Sequence, residues 1–315
     1  IIKMTKQTEK AIKPIKPNIF AVVKPYKLMI FGLILFALLS NSINLIIPKL
    51  ISKGIDDFAN GDFRYQSIIL EFLAAALIIF ILTLLQGILQ IYASERVAKD
   101  LRTKLADKIS RQSYAFIQDA NPSKLLTNLT SDIDSIKLFV SMAVVMLASS
   151  VFIIVGASVL LITINWKLAL SVLMIIPMII TAFMFIFKRL GSLFRKSREI
   201  IDRLNKVINE SIMGAALVRV LNSQTLEYNK FLDVNTQARD TGMSILRLFA
   251  TLIPIVVFIS NLATLIILAL GGHFVINGTM SLGDFAAFSS YLVILIFPIM
   301  VIGFISNFIA QASVS

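Results

Sequence analysis

Apolar residues run through this chain in six blocks. Each is close to the roughly 20 residues that a helix needs to cross the hydrocarbon core of a bilayer. The blocks are Leu28–Pro48, Phe72–Ala93, Leu138–Ile164, Leu168–Phe187, Leu248–Ile276 and Phe285–Gln311. Only Asn165, Trp166 and Lys167 separate the third from the fourth. Read as one helix, that pair would extend roughly 75 Å at 1.5 Å per residue, far beyond the core. The polar triplet therefore predicts a tight helical hairpin, with Trp166 at the interface where indoles are enriched. Pro177, Pro254 and Pro298 fall inside blocks and predict local kinks or packing curvature.

The segments between blocks are unequal. Lys49–Glu71, Asn165–Lys167 and Asn277–Asp284 are short; residues 1–27, 94–137 and 188–247 are long. Of the 30 Lys and Arg residues, 7, 8 and 11 fall in the three long segments, and the short ones hold only Lys49, Lys53, Arg64 and Lys167. Basic residues collect on the cytoplasmic side of membrane proteins. The count thus predicts that the long segments and both termini are cytoplasmic, as six crossings require.

Composition agrees. The chain has 315 residues, 57% hydrophobic and 15% charged, with a mean hydropathy of +0.86. Soluble domains are less apolar and carry about 25% charged residues. On a soluble protein a net charge of +12 would raise nucleic acid as a partner; here the basic residues report orientation in lipid, and no nucleic acid is expected. With no Cys and one His, thiolate metal sites, cysteine nucleophiles and His-based triads drop out. No phosphate loop G-x-x-x-x-G-K-[ST] is present, so no catalytic site is expected in this chain. Of Asp, Glu, Lys, Arg and His, the apolar blocks hold only His273, near the end of the fifth. Proton- or ion-coupled transporters usually carry such groups in their spans. If substrate moves uphill, the energy is expected to enter from outside the bilayer.

The long segments carry helical patterns. In "SERVAKDLRTKLADKISRQ", Val97, Leu101, Leu105 and Ile109 recur every four residues, predicting an amphipathic helix that continues the second span. A break is expected at Asp119-Ala120-Asn121-Pro122, and "LTSDIDSIKLFV" should return as a helix. The second long segment repeats the plan: "RKSREIIDRLNKVINESIMG" runs out, breaks near Gly214, turns through "ALVRVLNSQTLEYNKF" and returns. Two helical hairpins with short tips are predicted. Residues 1–16 read as a solvated basic tail without a signal-peptide pattern, and Ile19–Val23 as a short interfacial helix. Residues 1–27 thus form a basic segment with an interfacial elbow, and 28–315 the six-helix domain. Asn277-Gly278-Thr279 reads as a turn.

Three stretches resemble one family, the transmembrane domain of ABC exporters. "NPSKLLTNLTSDIDSIKLFV" (Asn121–Val140) resembles its first intracellular loop. "INWKLALSVLMIIPMI" (Ile164–Ile179) resembles its third-to-fourth helix hairpin, and "ESIMGAALVRVLNSQTLEYNKF" (Glu210–Phe231) its second intracellular loop. Asn128, Ser131, Asn222 and Ser223 depart from the family's common residues. The resemblance implies an all-α polytopic membrane fold of six transmembrane helices with long cytoplasmic helical extensions. It implies one half of an ATP-driven exporter, paired with a second half as homo- or heterodimer and alternating between inward- and outward-facing states. The fourth and fifth spans would cross to the opposite half. It also implies coupling helices seated on ATP-binding domains. These fall at Asp119, Asn121, Pro122, Ser123, Lys124, Leu125 and Leu126, and at Ala215, Leu217, Val218, Arg219, Val220, Leu221, Asn222, Ser223, Gln224 and Thr225. ATP and Mg would be held by the ATP-binding domain, with no cofactor in this chain. In the family, "SNFIAQASVS" would run on into that domain; a sequence cut at Ser315 is the expectation, a separate ATPase chain the alternative.

Lipid and a small apolar or amphipathic substrate are the other expected partners, and a bacterial inner membrane the expected location. Polar residues within the blocks are candidates for a substrate path: Asn41, Ser42, Asn44, Gln86, Gln90, Ser289, Ser290, Tyr291 and Asn307. For any one of them, hydrogen bonding between helices is the commoner explanation. A gated channel or a non-transporting structural subunit on the same scaffold remain alternatives.

Overall fold

The computed structural model describes residues 24–62, 64–119 and 122–314. Every regular element among them is helical. A short 3-10 turn, Lys24–Tyr26, leads into α1 (Lys27–Ala59), followed by α2 (Tyr65–Ser110), α3 (Tyr114–Asp119) and α4 (Pro122–Thr127). A π-turn at Asn128–Asp132, α5 (Ile133–Leu138) and a second π-turn at Phe139–Ala143 lead into α6 (Val144–Ile164). Then come α7 (Trp166–Leu173), α8 (Ile175–Met213), α9 (Ala215–Val220) and α10 (Gln224–Ile266). A third π-turn, Ile267–Gly271, joins α10 to α11 (Gly272–Ile276), and α12 (Leu282–Val314) ends the chain.

Six helical stretches are long and apolar enough to cross a membrane. The first five each contain one predicted block and are longer than it; the sixth, Leu282–Ile302, overlaps the block Phe285–Gln311. The stretch Gln224–Ile276 has 53 residues, about 80 Å of helix against a hydrocarbon core of about 30 Å. The expected hairpin at residues 165–167 is present. Asn165 lies between α6 and α7 in extended conformation, and its side chain accepts from the Lys167 and Leu168 backbone amides at 3.1 Å each. Trp166 is exposed, with the Lys167 ammonium 5.9 Å from its ring centroid.

The prolines act unequally. A single turn residue, Met174, interrupts α7 and α8 three positions before Pro177; proline cannot donate to the carbonyl four residues back. Helices α1, α10 and α12 run on through Pro48, Pro254 and Pro298. The first long segment breaks earlier than its Asp119–Pro122 signal: α2 ends at Ser110, and Ser113 precedes α3. Serine is a favoured residue immediately before a helix, where its hydroxyl can accept from freed amides.

The chain forms two compact units. The first comprises Ile1–Asn44, Ala74–Phe152 and Phe304–Ser315. In it Tyr26, Ile30, Val97, Phe139 and Ala143 form one buried cluster, and Leu33, Ala37, Ala93 and Val145 another. The predicted four-residue stripe of α2 is its covered face: Val97 is fully buried, and Leu101, Leu105 and Ile109 are half-buried. Tyr26 donates to Asp100 Oδ2 at 2.7 Å. Burial, and then the Asp100 carboxylate, push its hydroxyl up to about 12, so it remains a donor. Beyond the apolar block, Arg102–Asp134 and Lys137–Glu95 ion pairs fasten α2 to α5.

The second unit comprises Leu45–Leu73 and Ile153–Gly303. Its fully buried side chains include Leu161, Leu168, Ile179, Leu190, Ile267, Phe288 and Tyr291. The Tyr291 hydroxyl donates to the Leu45 carbonyl at 2.7 Å. Asp56, near the end of α1, caps the start of α12: its carboxylate accepts from Ser281 Oγ at 2.7 Å and Gly283 N at 2.8 Å. Gly283 permits this approach, because a Cβ there would lie 2.1 Å from the Ser52 carbonyl oxygen.

Gly283→Ala is therefore expected to lower the unfolding midpoint of the purified protein by several degrees, since backbone must give way at a cost of about 1–3 kcal/mol. Gly87→Ala, with nothing within 4 Å of the added carbon, should leave the midpoint unchanged or raise it, a gain of about 0.5–1 kcal/mol. Scanning fluorimetry that found the two variants alike would contradict the junction.

Candidate functional site

Helix α8 leaves its apolar block at Phe187 and continues to Met213, about 40 Å further at 1.5 Å per residue. One face is buried along the apolar block and up to Ile200, through Ile175, Ile179, Phe183, Ile186, Leu190 and Ile200, and is half-buried beyond it at Leu204, Val207 and Ser211. Helix α10 packs along it more extensively than any other pair of elements. The product is a stiff two-helix lever whose tip is the short helix α9.

Backbone hydrogen bonds build the tip. Gly214 ends α8, its amide donating to Glu210 O at 2.8 Å. Helix α9 closes through Leu221 N to Leu217 O at 2.9 Å and Ser223 N to Val218 O at 3.0 Å. Between these sits Asn222 with φ +49°, the left-handed conformation that Asn adopts more readily than most residues. A side-chain lock holds the base. Ser211 Oγ, on α8, donates to Glu227 Oε2 at 3.0 Å, and Lys230 Nζ donates to Glu227 Oε1 at 2.6 Å. The Lys230 bond, then that of Ser211, hold the Glu227 carboxyl below its ordinary value of 4.5, against the opposing effect of burial.

Above the lock the surface is largely apolar, broken by the exposed Arg219 and Asn222. Met213 is 87% and Val220 82% exposed, and Leu217 and Leu221 are uncovered as well. An apolar patch this far along the lever from the apolar block fits a protein surface better than lipid. The second predicted tip therefore coincides with one compact feature. Ala215, Leu217, Val218, Arg219 and Val220 form α9; Leu221, Asn222 and Ser223 form the turn, and Gln224 and Thr225 open α10. Of the first predicted tip, Asp119 ends α3, and α4 carries Pro122, Ser123, Lys124, Leu125 and Leu126. Leu126 is exposed; Asn121 lies outside the described residues.

The polar residues proposed for a substrate path divide between the units. In the first, Asn41, Ser42, Asn44, Gln86 and Gln90 are half-buried. Ser42 Oγ donates to Leu38 O and Asn44 Nδ2 to Ser40 O, each bond staying on α1. In the second, Ser289 and Ser290 donate to the carbonyls of Phe285 and Ala286 on their own helix, and Tyr291 is buried against Leu45. Asn307 lies on α12, outside the residues whose side chains are described. His273 is exposed, its Nε2 2.9 Å from Asn277 Nδ2. The Asn277-Gly278-Thr279 turn is present, with Gly278 at φ +69°. Among the described residues no three His, Asp or Glu side chains cluster as metal ligands.

The Glu227 lock and the Asp56 cap were not among the predicted site residues. The spacing of Glu227 and Lys230 is a legible helix pair. Ser211, sixteen residues away, is not a neighbour that spacing can identify.

Residues 29–299 match the family description of the ABC transporter transmembrane region. An uncharacterized ABC transporter ATP-binding protein of Bacillus subtilis, YfiB, is 26% identical over 271 residues, 85% of this chain and 47% of the relative. The putative multidrug export ATP-binding/permease protein YgaD of the same organism is 26% identical over 278 residues, 86% and 48% of the two chains. The multidrug resistance-like ATP-binding protein MdlA of Buchnera aphidicola is 27% identical over 302 residues, 92% and 51%. The chain spans about half the length of these relatives.

The lock makes the base of the tip pH-dependent. A carboxyl held below its ordinary value stabilises the folded form above 4.5, and the contribution disappears as pH falls through the folded value. Hydrogen exchange of residues 211–230 should quicken as pH drops below 4.5, after correction for intrinsic rates. Glu227→Gln should show faster exchange at neutral pH and no such step. The effect should be small, a few-fold, because exposed ion pairs are weak.

Proposed function

Because the chain belongs to the family of ABC transporter transmembrane regions, we propose that it is the membrane-spanning half of an ATP-driven exporter. Six apolar helices and the family make it an integral multi-pass membrane protein. The observation that carries the exporter reading is the apolar tip of the α8–α10 lever, together with the multidrug export named for relatives such as YgaD. An ATP-binding domain would bury Met213, Leu217, Val220 and Leu221 in a surface groove. The first tip, Asp119 to Leu126 with Asn121, would seat beside it. A second transmembrane half, identical or related, would complete the assembly.

ATP and Mg would be held by the ATP-binding domain, since these 315 residues carry no phosphate loop. What this chain supplies is mechanical. A lever packed along its length does not bend freely, so movement of its tip tilts the spans, a rigid-body route between two states. Inward-facing and outward-facing forms would then alternate as the tips close and separate. The spans carry few ionisable residues, consistent with energy arriving through the tips rather than from an ion gradient. A small apolar or amphipathic substrate would pass along the half-buried polar residues Asn41, Ser42, Asn44, Gln86 and Gln90, with Ser289, Ser290 and Asn307 contributing. Tyr291 would act there by packing. Both termini and both levers would face the cytoplasm, at the inner membrane of a bacterium.

Two measurements test this reading. The full-length protein in liposomes should lose dye-stimulated ATP turnover at least tenfold on Leu217→Asp with Val220→Asp, or on deletion of Ala215–Thr225, while its assembly elutes normally. Unchanged turnover would remove the tip from coupling. Because the chain has no Cys, single substitutions report sidedness cleanly. In intact cells, a membrane-impermeant maleimide should label Asn277→Cys and spare Ser223→Cys, and the reverse pattern would invert the orientation.

A further inference from the structure

A second feature of the α8–α10 hairpin lies at the opposite end of the lever, where the apolar blocks stop. Arg189 follows the block ending at Phe187 by two residues, and Arg247 immediately precedes the block that opens at Leu248. On two antiparallel helices packed together, these positions share one depth. Between them lies a hollow of about 410 Å³, lined by Arg189, Ser192, Ser244, Arg247, Thr251 and two leucines.

The hollow has no carboxylate. Residues 188–198 carry Lys188, Arg189, Arg195, Lys196 and Arg198 before the first acid, Glu199, and residues 241–251 carry Arg247 without an acid. Among the described residues, neither Arg189 nor Arg247 belongs to an ion pair. Asp240, one turn before Ser244, is engaged by Arg239 at 2.9 and 3.0 Å. The Arg189 guanidinium lies 4.9 Å from the Phe185 ring centroid, an arrangement that restrains a cation at an apolar boundary. The three hydroxyls donate to their own helices, Ser192 to Arg189 O, Ser244 to Asp240 O and Thr251 to Arg247 O. Their oxygens are left as acceptors.

Two guanidiniums match a phosphate, which they can grip through paired N–H donors. Acceptor hydroxyls beside them match a ligand that also carries hydroxyl donors. The apolar surface continues from the hollow along both helices. Phe185 and Met178 stand one and three turns along α8 from Arg189, and Phe258 stands three turns along α10 from Arg247; all three are exposed. Acyl chains fit that surface; an inorganic ion leaves it uncovered. Basic hollows between membrane helices are known to take anionic headgroups.

We propose that the hollow between α8 and α10 binds one anionic phospholipid with a hydroxylated headgroup, of the phosphatidylglycerol type. Its phosphodiester would sit between Arg189 and Arg247. The lipid would belong to the leaflet on the side of the long segments. This inference needs only that the apolar helices cross a bilayer; it is independent of the transport reading, and its test reads lipid rather than turnover.

The full-length protein, reconstituted in nanodiscs of phosphatidylcholine with phosphatidylglycerol, is released and weighed by native mass spectrometry. The parent should retain phosphatidylglycerol in preference to phosphatidylcholine. Arg189→Gln with Arg247→Gln should weaken that retention about tenfold or more. Lys196→Gln with Arg198→Gln removes the same charge outside the hollow and should change retention less than about twofold. Arg189→Lys with Arg247→Lys keeps the charge, removes the paired donors and should fall between. This last variant also reads the site if the Gln pair fails to fold. Equal losses from the Gln pair and the control pair would reduce the effect to general attraction and overturn the site. Displacement of the lipid by millimolar inorganic phosphate would overturn the lipid assignment in favour of a soluble anion.

Discussion

The constraint on which this structure depends is the absence of water around most of its backbone. In hydrocarbon each unpaired amide or carbonyl costs several kcal/mol, and the helix satisfies nearly all of them within one segment. The side chains follow the same rule. Ser42, Asn44, Ser260, Thr264, Ser289 and Ser290 all donate to the carbonyl four residues back. No buried side-chain polar atom among the described residues is left without a partner. Much of the polarity inside the apolar blocks is thereby absorbed by the helices that carry it, Tyr291 and the Ser40–Thr83 pair being exceptions that bond between helices.

With polar groups satisfied locally, helices meet through close packing, which favours small residues. Ala157, Ala263 and Ala287 are fully buried in the second unit, and Gly283 admits the Ser52 carbonyl. Tertiary hydrogen bonds join elements far apart in sequence, among them Tyr291 to the Leu45 carbonyl and the Gly283 amide to Asp56. Both fasten α12 to α1. In the first unit, Tyr26 and Asp100 do comparable work where α1 begins.

Past the apolar blocks the surface logic reverses. The levers are amphipathic and charged on their open faces, so an uncovered apolar tip stands out there as it would not within a span. The basic hollow stands out for the complementary reason. Among the described residues most carboxylate–cation pairs lie in the long segments, yet Arg189 and Arg247 belong to none of them. The same two helices therefore present an apolar contact at one end and a cationic one at the other, about 40 Å apart by helix length.

Local sequence determined the six spans through the length of their apolar blocks, the Asn165–Lys167 hairpin through its polar triplet, the stripe of α2 through its four-residue period, and the break at Gly214. Each is a local property, set by neighbours within a turn or two. The helical pattern with its break near Gly214 marked the tip at α9. Tertiary structure decided the rest. The sequence marks Asp56, Ser211 and Tyr291 as polar without saying which partner each meets, because those partners lie between 16 and 246 residues away. It marks Arg189 and Arg247 as residues at the ends of apolar blocks; only the pairing of α8 with α10 brings them to one hollow. Period and charge are written along the chain, whereas contact between distant residues depends on how helices pack.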